Sequence, residues 1–402
     1  TGLVVLTALY TIFGGMKSVL YTSVLQTPIL LLGSLIILVL GFKELGGWDE
    51  MMRVCGAVTV NDYGDTMTNL IRSNDDANFP WLGALIGSAI IGFWYWCTDQ
   101  FIVQRVLSGK NEMEARRGTI FGAYLKLLPV FLFLIPGMIA FALHQKYIGA
   151  GGEGFLPMLA NGTANADAAF PTLVAKLLPA GVKGLVVCGI LAALMSSLAS
   201  LFNSSAMLFT IDFYKRFKPE TPEKKLVGIG QIATIVIVVL GILWIPIMRS
   251  VGDVLYTYLQ DVQSVLAPGI AAAFLLGICW KRTSAQGGMW GLISGMVIGL
   301  TRLGAKVYYS NAGEVADSTF KYLFYDMNWL FFCGWMFLFC IIVVIVVSLA
   351  TEAPTAEKIQ GLVFGTATKE QKAATRASWN HWDIIHTVII LAITAAFYWY
   401  FW

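Results

Sequence analysis

Charge is what this sequence has least of. Only 13% of its 402 residues are Asp, Glu, Lys or Arg, against about 25% in a soluble globular domain. So few cannot cover a surface that faces water on every side. The net charge of +3 leaves no nucleic-acid footprint, so no nucleic-acid partner is expected. Cysteine is also sparse. Cys55, Cys97, Cys188, Cys279, Cys333 and Cys340 are all there are. Five of them lie in apolar segments and no two have metal-ligand spacing, which excludes a disulfide framework and a zinc site. No signal peptide or basic leader is expected from the opening residues. The sequence opens at Thr1 inside an apolar run, and an N-terminal portion is expected to be missing. No nucleophile stands beside a base and no phosphate loop is present, so an enzyme is not expected.

What is abundant is apolar. Ala, Val, Ile, Leu, Met, Cys and the aromatics make up 57% of the chain. A membrane-crossing helix needs about 20 such residues in a row. About ten segments are read by that criterion: 1–14 (truncated), 18–42, 81–108, 119–144, 183–212, 226–248, 254–280, 284–306, 328–350 and 383–401. The loops between them alternate in charge. Arg105, Lys110, Arg116 and Arg117 mark one connection; Lys215, Arg216, Lys218, Lys224 and Lys225 the next; then Lys281 and Arg282; then Lys358, Lys369, Lys372 and Arg376 in the loop at 351–382. The intervening loops at 43–80, 145–182, 249–253 and 307–327 are neutral or acidic. Basic loops stay in the cytoplasm, which puts Thr1 and the C-terminus outside. The aromatic cluster at Phe397–Trp402 reads as an interfacial belt.

Polar groups inside such spans are costly and are functional candidates by default. Four stretches carry them. The segment 81–108 would be about 42 Å long as one helix, too long for a hydrocarbon core of about 30 Å. A break is expected at Gly92, just before Tyr95, Trp96, Asp99 and Arg105. Broken helices near the midplane are where transporters hold substrate. Tyr95 and Trp96 read as functional, and Asp99 with Arg105 as an interfacial salt bridge. Lys126 lies about two turns into the next span; it either serves a site or snorkels to the interface. Pro129 and Pro136 should kink that helix. Ser196 and Ser197 offer hydroxyls that a hard monovalent cation requires, or small surfaces for close helix packing; both readings stand. Gln260 and Gln263 share a helix face and carry donors and acceptors suited to a polyol, or to a hydrogen bond between helices. A kink is expected at Pro268-Gly269.

Several of these stretches closely resemble the sodium–glucose cotransporter branch of the sodium:solute symporter family. They are Ala8-Leu-Tyr-Thr-Ile-Phe-Gly-Gly15, Trp94-Tyr-Trp-Cys-Thr-Asp-Gln100 with Val103-Gln-Arg105, Tyr124-Leu-Lys-Leu-Leu-Pro129 and Pro136-Gly-Met-Ile139. Further on come Leu194-Met-Ser-Ser-Leu198 with Phe202-Asn-Ser204, and the stretch from Phe274-Leu-Leu to Trp280-Lys-Arg282. The resemblance runs nearly end to end, and is least in the loop at 351–380.

It implies an all-α polytopic membrane protein with the leucine-transporter-type inverted-repeat fold, about ten transmembrane helices being present of about fourteen. Residues 1–306 would be the transporter core, incomplete, holding core helices four to ten plus one peripheral helix. Residues 307–402 would be peripheral C-terminal helices, with the cytoplasmic loop at 351–382. The implied function is sodium-coupled uptake of a hexose, glucose or galactose, by alternating access. The alternatives are the same fold serving myo-inositol or another small solute, and a channel or non-transporting membrane sensor.

By the same resemblance, Tyr95 would stack on the sugar as an inner gate, beside Trp96. Lys126 and Gln260 would bond sugar hydroxyls, with Gln263 one turn further on. Ala193 by its carbonyl, and Ser196 and Ser197 by their hydroxyls, would hold sodium. Ser23 stands where the family often has Asp, and Ala199 where members with a second sodium tend to have Thr, which implies one sodium per sugar. The cysteine-free loop at 145–182 points to a bacterial inner membrane; the Asn161-Gly-Thr163 sequon points the other way.

Overall fold

A computed structural model describes residues 2–159, 162–249, 255–311 and 316–402. Its long helices, in chain order, are α1 (Gly2–Leu45), α2 (Trp81–Cys97), α3 (Gln100–Leu107), α4 (Glu112–Pro129), α5 (Ile135–Gly149) and α6 (Ala180–Met207), followed by α7 (Glu223–Arg249), α8 (Leu255–Cys279), α9 (Ala285–Asn311), α10 (Trp329–Ala350) and α11 (His381–Tyr400). No β-strand occurs among the described residues. With no water in the bilayer core, helices that close all their own backbone hydrogen bonds are one of the few admissible spanning structures.

Seven described helices are long and apolar enough to cross a membrane, or eight if the bent pair α2–α3 is one span. Two of the ten expected spans account for the difference. No break separates 1–14 from 18–42, since Gly2–Leu45 is one helix. Within it, Gln26–Leu45 meets the requirement. The other span, 284–306, forms α9, which does not meet it. Its run is interrupted by Gly287, Gly288, Gly291, Gly295, Gly299 and Gly304 and by the charges of Arg302 and Lys306.

The chain divides into two compact units. The first comprises residues 1–60, 66–68 and 122–252. Here α1 packs along α6 and against α5, glycine against apolar side chain: a Cβ on Gly189 of α6 would stand 3.0 Å from Ile29 Cγ2, and one on Gly41 would stand 3.1 Å from Ile139 Cγ2 of α5. Ile37, Leu45, Ile135, Ile139, Leu143 and Val186 form the centre of its core. Between Pro129 and Pro136 the helix passes through a π-helical stretch, Val130–Leu134. The interruption expected of the two prolines is thus taken up as a wider turn, the usual form of such a defect inside a helix.

The second unit comprises residues 61–65, 69–121 and 253–402. Its centre is the bundle of α2, α8, α9 and α10. The expected kink at Pro268-Gly269 is not a helix end: α8 runs through with Pro268 inside. Gly269 instead lets α9 approach, and a Cβ there would stand 3.4 Å from Gly295 Cα. On α9, Gly287, Gly291, Gly295 and Gly299 recur every fourth residue. Each faces α8 or α10 closely enough that any side chain would collide. Small residues at this spacing let helix backbones meet, which is how helices associate where lipid removes the hydrophobic drive between them.

Candidate functional site

The first group of candidate residues sits at a helix break in the second unit. α2 and α3 meet at a bend of 49°. The break is not at Gly92, as expected, but six residues on, at Thr98 and Asp99. The cause is capping. Thr98 Oγ1 donates to the Trp94 carbonyl at 2.7 Å, and the Asp99 carboxylate accepts from the Phe101 amide at 3.0 Å, starting α3 as its N-cap. Such caps satisfy orphaned backbone groups. Gly92 supplies nothing of the kind and stays inside α2. Asp99 therefore serves the backbone, while the Arg105 guanidinium lies 5.3 Å over the Phe101 ring.

Tyr95 and Trp96 occupy the last turn before the break. Their rings meet edge to face, 5.3 Å apart at 90°, and Trp94 tilts against Tyr95 at 6.2 Å. Tyr95 is half-buried and Trp96 is 49% exposed. A half-open aromatic face suits a ligand with an apolar ring face and polar edges.

The second group lies on α8. Gln260 and Gln263 are both half-buried, one turn apart. α2 meets α8 through Ile90, Phe93 and Trp94 against Ala271 and Phe274. Gln260 lies about three turns before Ala271, so this seam does not itself join Tyr95 to the glutamines. Between the two glutamines is a carboxylate that was not singled out from the sequence. Asp261 is buried. Its Oδ2 accepts from Lys306 Nζ at 2.6 Å, and its Oδ1 lies 3.7 Å from Arg302 Nη2. A signal was there to find, since Arg302 and Lys306 are two cations four residues apart within one expected span.

The remaining candidates belong to the first unit. Lys126 is exposed on α4, one turn before Pro129. On α6, Ser196 is buried, Ala193 is half-buried and Ser197 is exposed. Adjacent helical positions point about 100° apart, so the two hydroxyls divide. Ser196 faces the protein on the same side as buried Ser200, whose hydroxyl donates to the Ser196 carbonyl at 3.1 Å. Ser197 is the one that close packing leaves outward. Ala199 is fully buried. The side chain of Ser23, and the whole of Asn161, lie outside the described residues.

Residues 2–295 match the sodium:solute symporter family. The chain is 35% identical to the sodium/mannose cotransporter of Bos taurus, over 98% of its own length and 70% of that protein. It is 36% identical to sodium/myo-inositol cotransporter 2 of Homo sapiens, over 91% and 56% respectively. To sodium/glucose cotransporter 1 of Ovis aries it is 38% identical, over 87% and 55%. It thus spans between 55% and 70% of the length of these relatives. A solved structure of a sodium-coupled sialic acid symporter in a substrate-bound outward-open state superposes with a TM-score of 0.64 at 21% identity, over 87% of this chain and 66% of that one; this shows the shared fold. The relatives are mammalian and give the bacterial inner membrane no support, whereas an integral membrane protein stands.

Proposed function

The chain belongs to the sodium:solute symporter family, and from that premise we propose that it serves sodium-coupled uptake of a hexose, glucose or galactose, by alternating access. The observation that carries the reading is the aromatic pair Tyr95–Trp96 in the last turn before the α2–α3 break. Tyr95 stacks on the sugar ring. Gln260 and Gln263 bond its hydroxyls; Lys126 is given the same role by the resemblance alone. Ser197 and Ser196, with the Ala193 carbonyl, take the sodium. Residues 1–306 act as the transporter core. The lipid bilayer, sodium and one small polyhydroxylated solute are the partners. A second solute class, myo-inositol, is favoured by the name of one relative; it has the same neutral ring of hydroxyls and asks for the same donors and acceptors. Saturable uptake by the intact transporter in vesicles, driven by an inward sodium gradient and run over a panel of hexoses and inositol, tests the reading. Uptake that ignores sodium, or a leak that never saturates, would overturn it.

Two substitutions separate the roles. Gln260→Ala should raise the half-saturation constant for solute, since losing a hydrogen bond to a buried partner costs about 1–3 kcal/mol. Less protein in the membrane at unchanged apparent affinity would make Gln260 a packing residue. Replacing Ser196 and Ser197 together by Ala should abolish sodium dependence in protein that still folds. Among the single variants, Ser197→Ala should have the larger effect on the sodium half-saturation and the smaller effect on stability, because Ser197 is exposed and Ser196 is packed. The reverse order would move the sodium site off this turn.

A further inference from the structure

We infer that the Asp261–Lys306 ion pair, backed by Arg302, is a positioning device that sets the turn of α8 carrying Gln260 and Gln263, and so governs solute affinity; the inference rests on the reading that Gln260 contacts solute. Asp261 follows Gln260 directly, so their side chains leave α8 about 100° apart. Asp261 is buried together with Ser264 and Val265, while Gln260 and Gln263 remain at the edge. Whatever turns Asp261 turns Gln260 with it.

The closest backbone approaches of the two helices lie further along. α8 and α9 are locked where Gly269 meets Gly295 and Val265 meets Gly299. Gln260 lies more than a turn N-terminal of Val265, beyond the last glycine contact. An ionic tie reaches that turn, between Asp261 and Lys306. Arg302 supplies a fixed anchor: it is fully buried, donates from Nη2 to the Met327 carbonyl at 2.8 Å and from Nη1 to Leu323 at 3.4 Å, and lies 4.0 Å over the Phe332 ring of α10. Lys306, one turn along α9, closes on Asp261 at 2.6 Å with its side chain 31% exposed. The Asp261 backbone carbonyl accepts from Ser264 Oγ at 2.6 Å, which stiffens the same turn. A buried ion pair adds little net stability because desolvation offsets attraction, but it penalises every arrangement that separates the charges. That is the property needed to hold a binding side chain in one rotational setting.

The test uses Lys306→Met, Lys306→Arg and Gln260→Ala in the intact transporter, reading solute half-saturation, sodium half-saturation and the amount of folded protein in the membrane. Lys306→Met should raise the solute constant by about fivefold or more, a coupling typical of residues that share a network, with the sodium constant and the folded amount unchanged. Lys306→Arg should restore it. Should Lys306→Met fail to reach the membrane, the double variant Asp261→Asn with Lys306→Met, which leaves neither member of the pair uncompensated, is read in the same way. A wild-type solute constant in Lys306→Met, or in the double variant where that one is read instead, overturns the inference with or without loss of protein. If Gln260→Ala raises the constant and Lys306→Met does not, only the positioning role falls. If neither does, the assignment of Gln260 to the solute falls with it.

Discussion

Tyr95→Ala is expected to raise the half-saturation constant for solute about thirtyfold, whereas Tyr95→Phe should cost no more than about fivefold. Covering one face of a ring-shaped solute with an aromatic side chain is worth about 2 kcal/mol in apolar burial, and the alanine variant forfeits it. Phenylalanine keeps the ring and loses one hydroxyl, worth about 1 kcal/mol. The half-buried setting of Tyr95 in the turn before Thr98 and Asp99, held edge-on by Trp96, leaves the ring's position little changed in the phenylalanine variant. Sodium-dependent uptake at graded solute concentrations measures both constants. Equal and small effects from the two variants would mean that the ring only packs on its neighbours or faces lipid.

Gly299→Val should remove most of the folded protein. A Cβ at Gly299 would stand 2.9 Å from the Val265 carbonyl oxygen and 2.5 Å from its Cγ1. The carbonyl is backbone and cannot swing away, so α8 and α9 must separate. Overpacking in a tight core costs about 1–3 kcal/mol for side chains that can adjust, and more is expected where backbone must move. Gly295 is confined in the same way, 3.0 Å from Gly269 Cα and 3.2 Å from Cys340 Sγ. Gly304, on the same helix with nothing within 4 Å, is the control; Gly304→Ala should be neutral or slightly stabilising, by up to about 1 kcal/mol of helix propensity. Thermal melting of the detergent-extracted protein, followed by gel filtration, compares them. A Gly299→Val variant that melts like the parent would show that the α8–α9 contact is loose.

Most of the spans were legible in the sequence because crossing a bilayer is a local demand: about 20 apolar residues in a row can be counted without knowing what lies beside them. Tyr95, Gln260 and Ser196 stand out as candidates for a related reason, since a polar or aromatic cluster inside such a run is conspicuous wherever the helix packs. Local chemistry also decided the α2–α3 break, but capping by Thr98 and Asp99 outweighed the glycine at 92, whose low propensity does not by itself end a helix. Tertiary structure decided the rest. Gly287, Gly291, Gly295 and Gly299 acquire meaning only when α8 and α10 are seen against them. Ser196 and Ser197, equivalent in the sequence, differ because packing buries one and leaves the other outward. Asp261 finds Lys306 across 45 positions of chain. Hydropathy is a property of single residues and sums along the chain, whereas an ion pair or a backbone-to-backbone contact belongs to two segments at once and exists only after they have met.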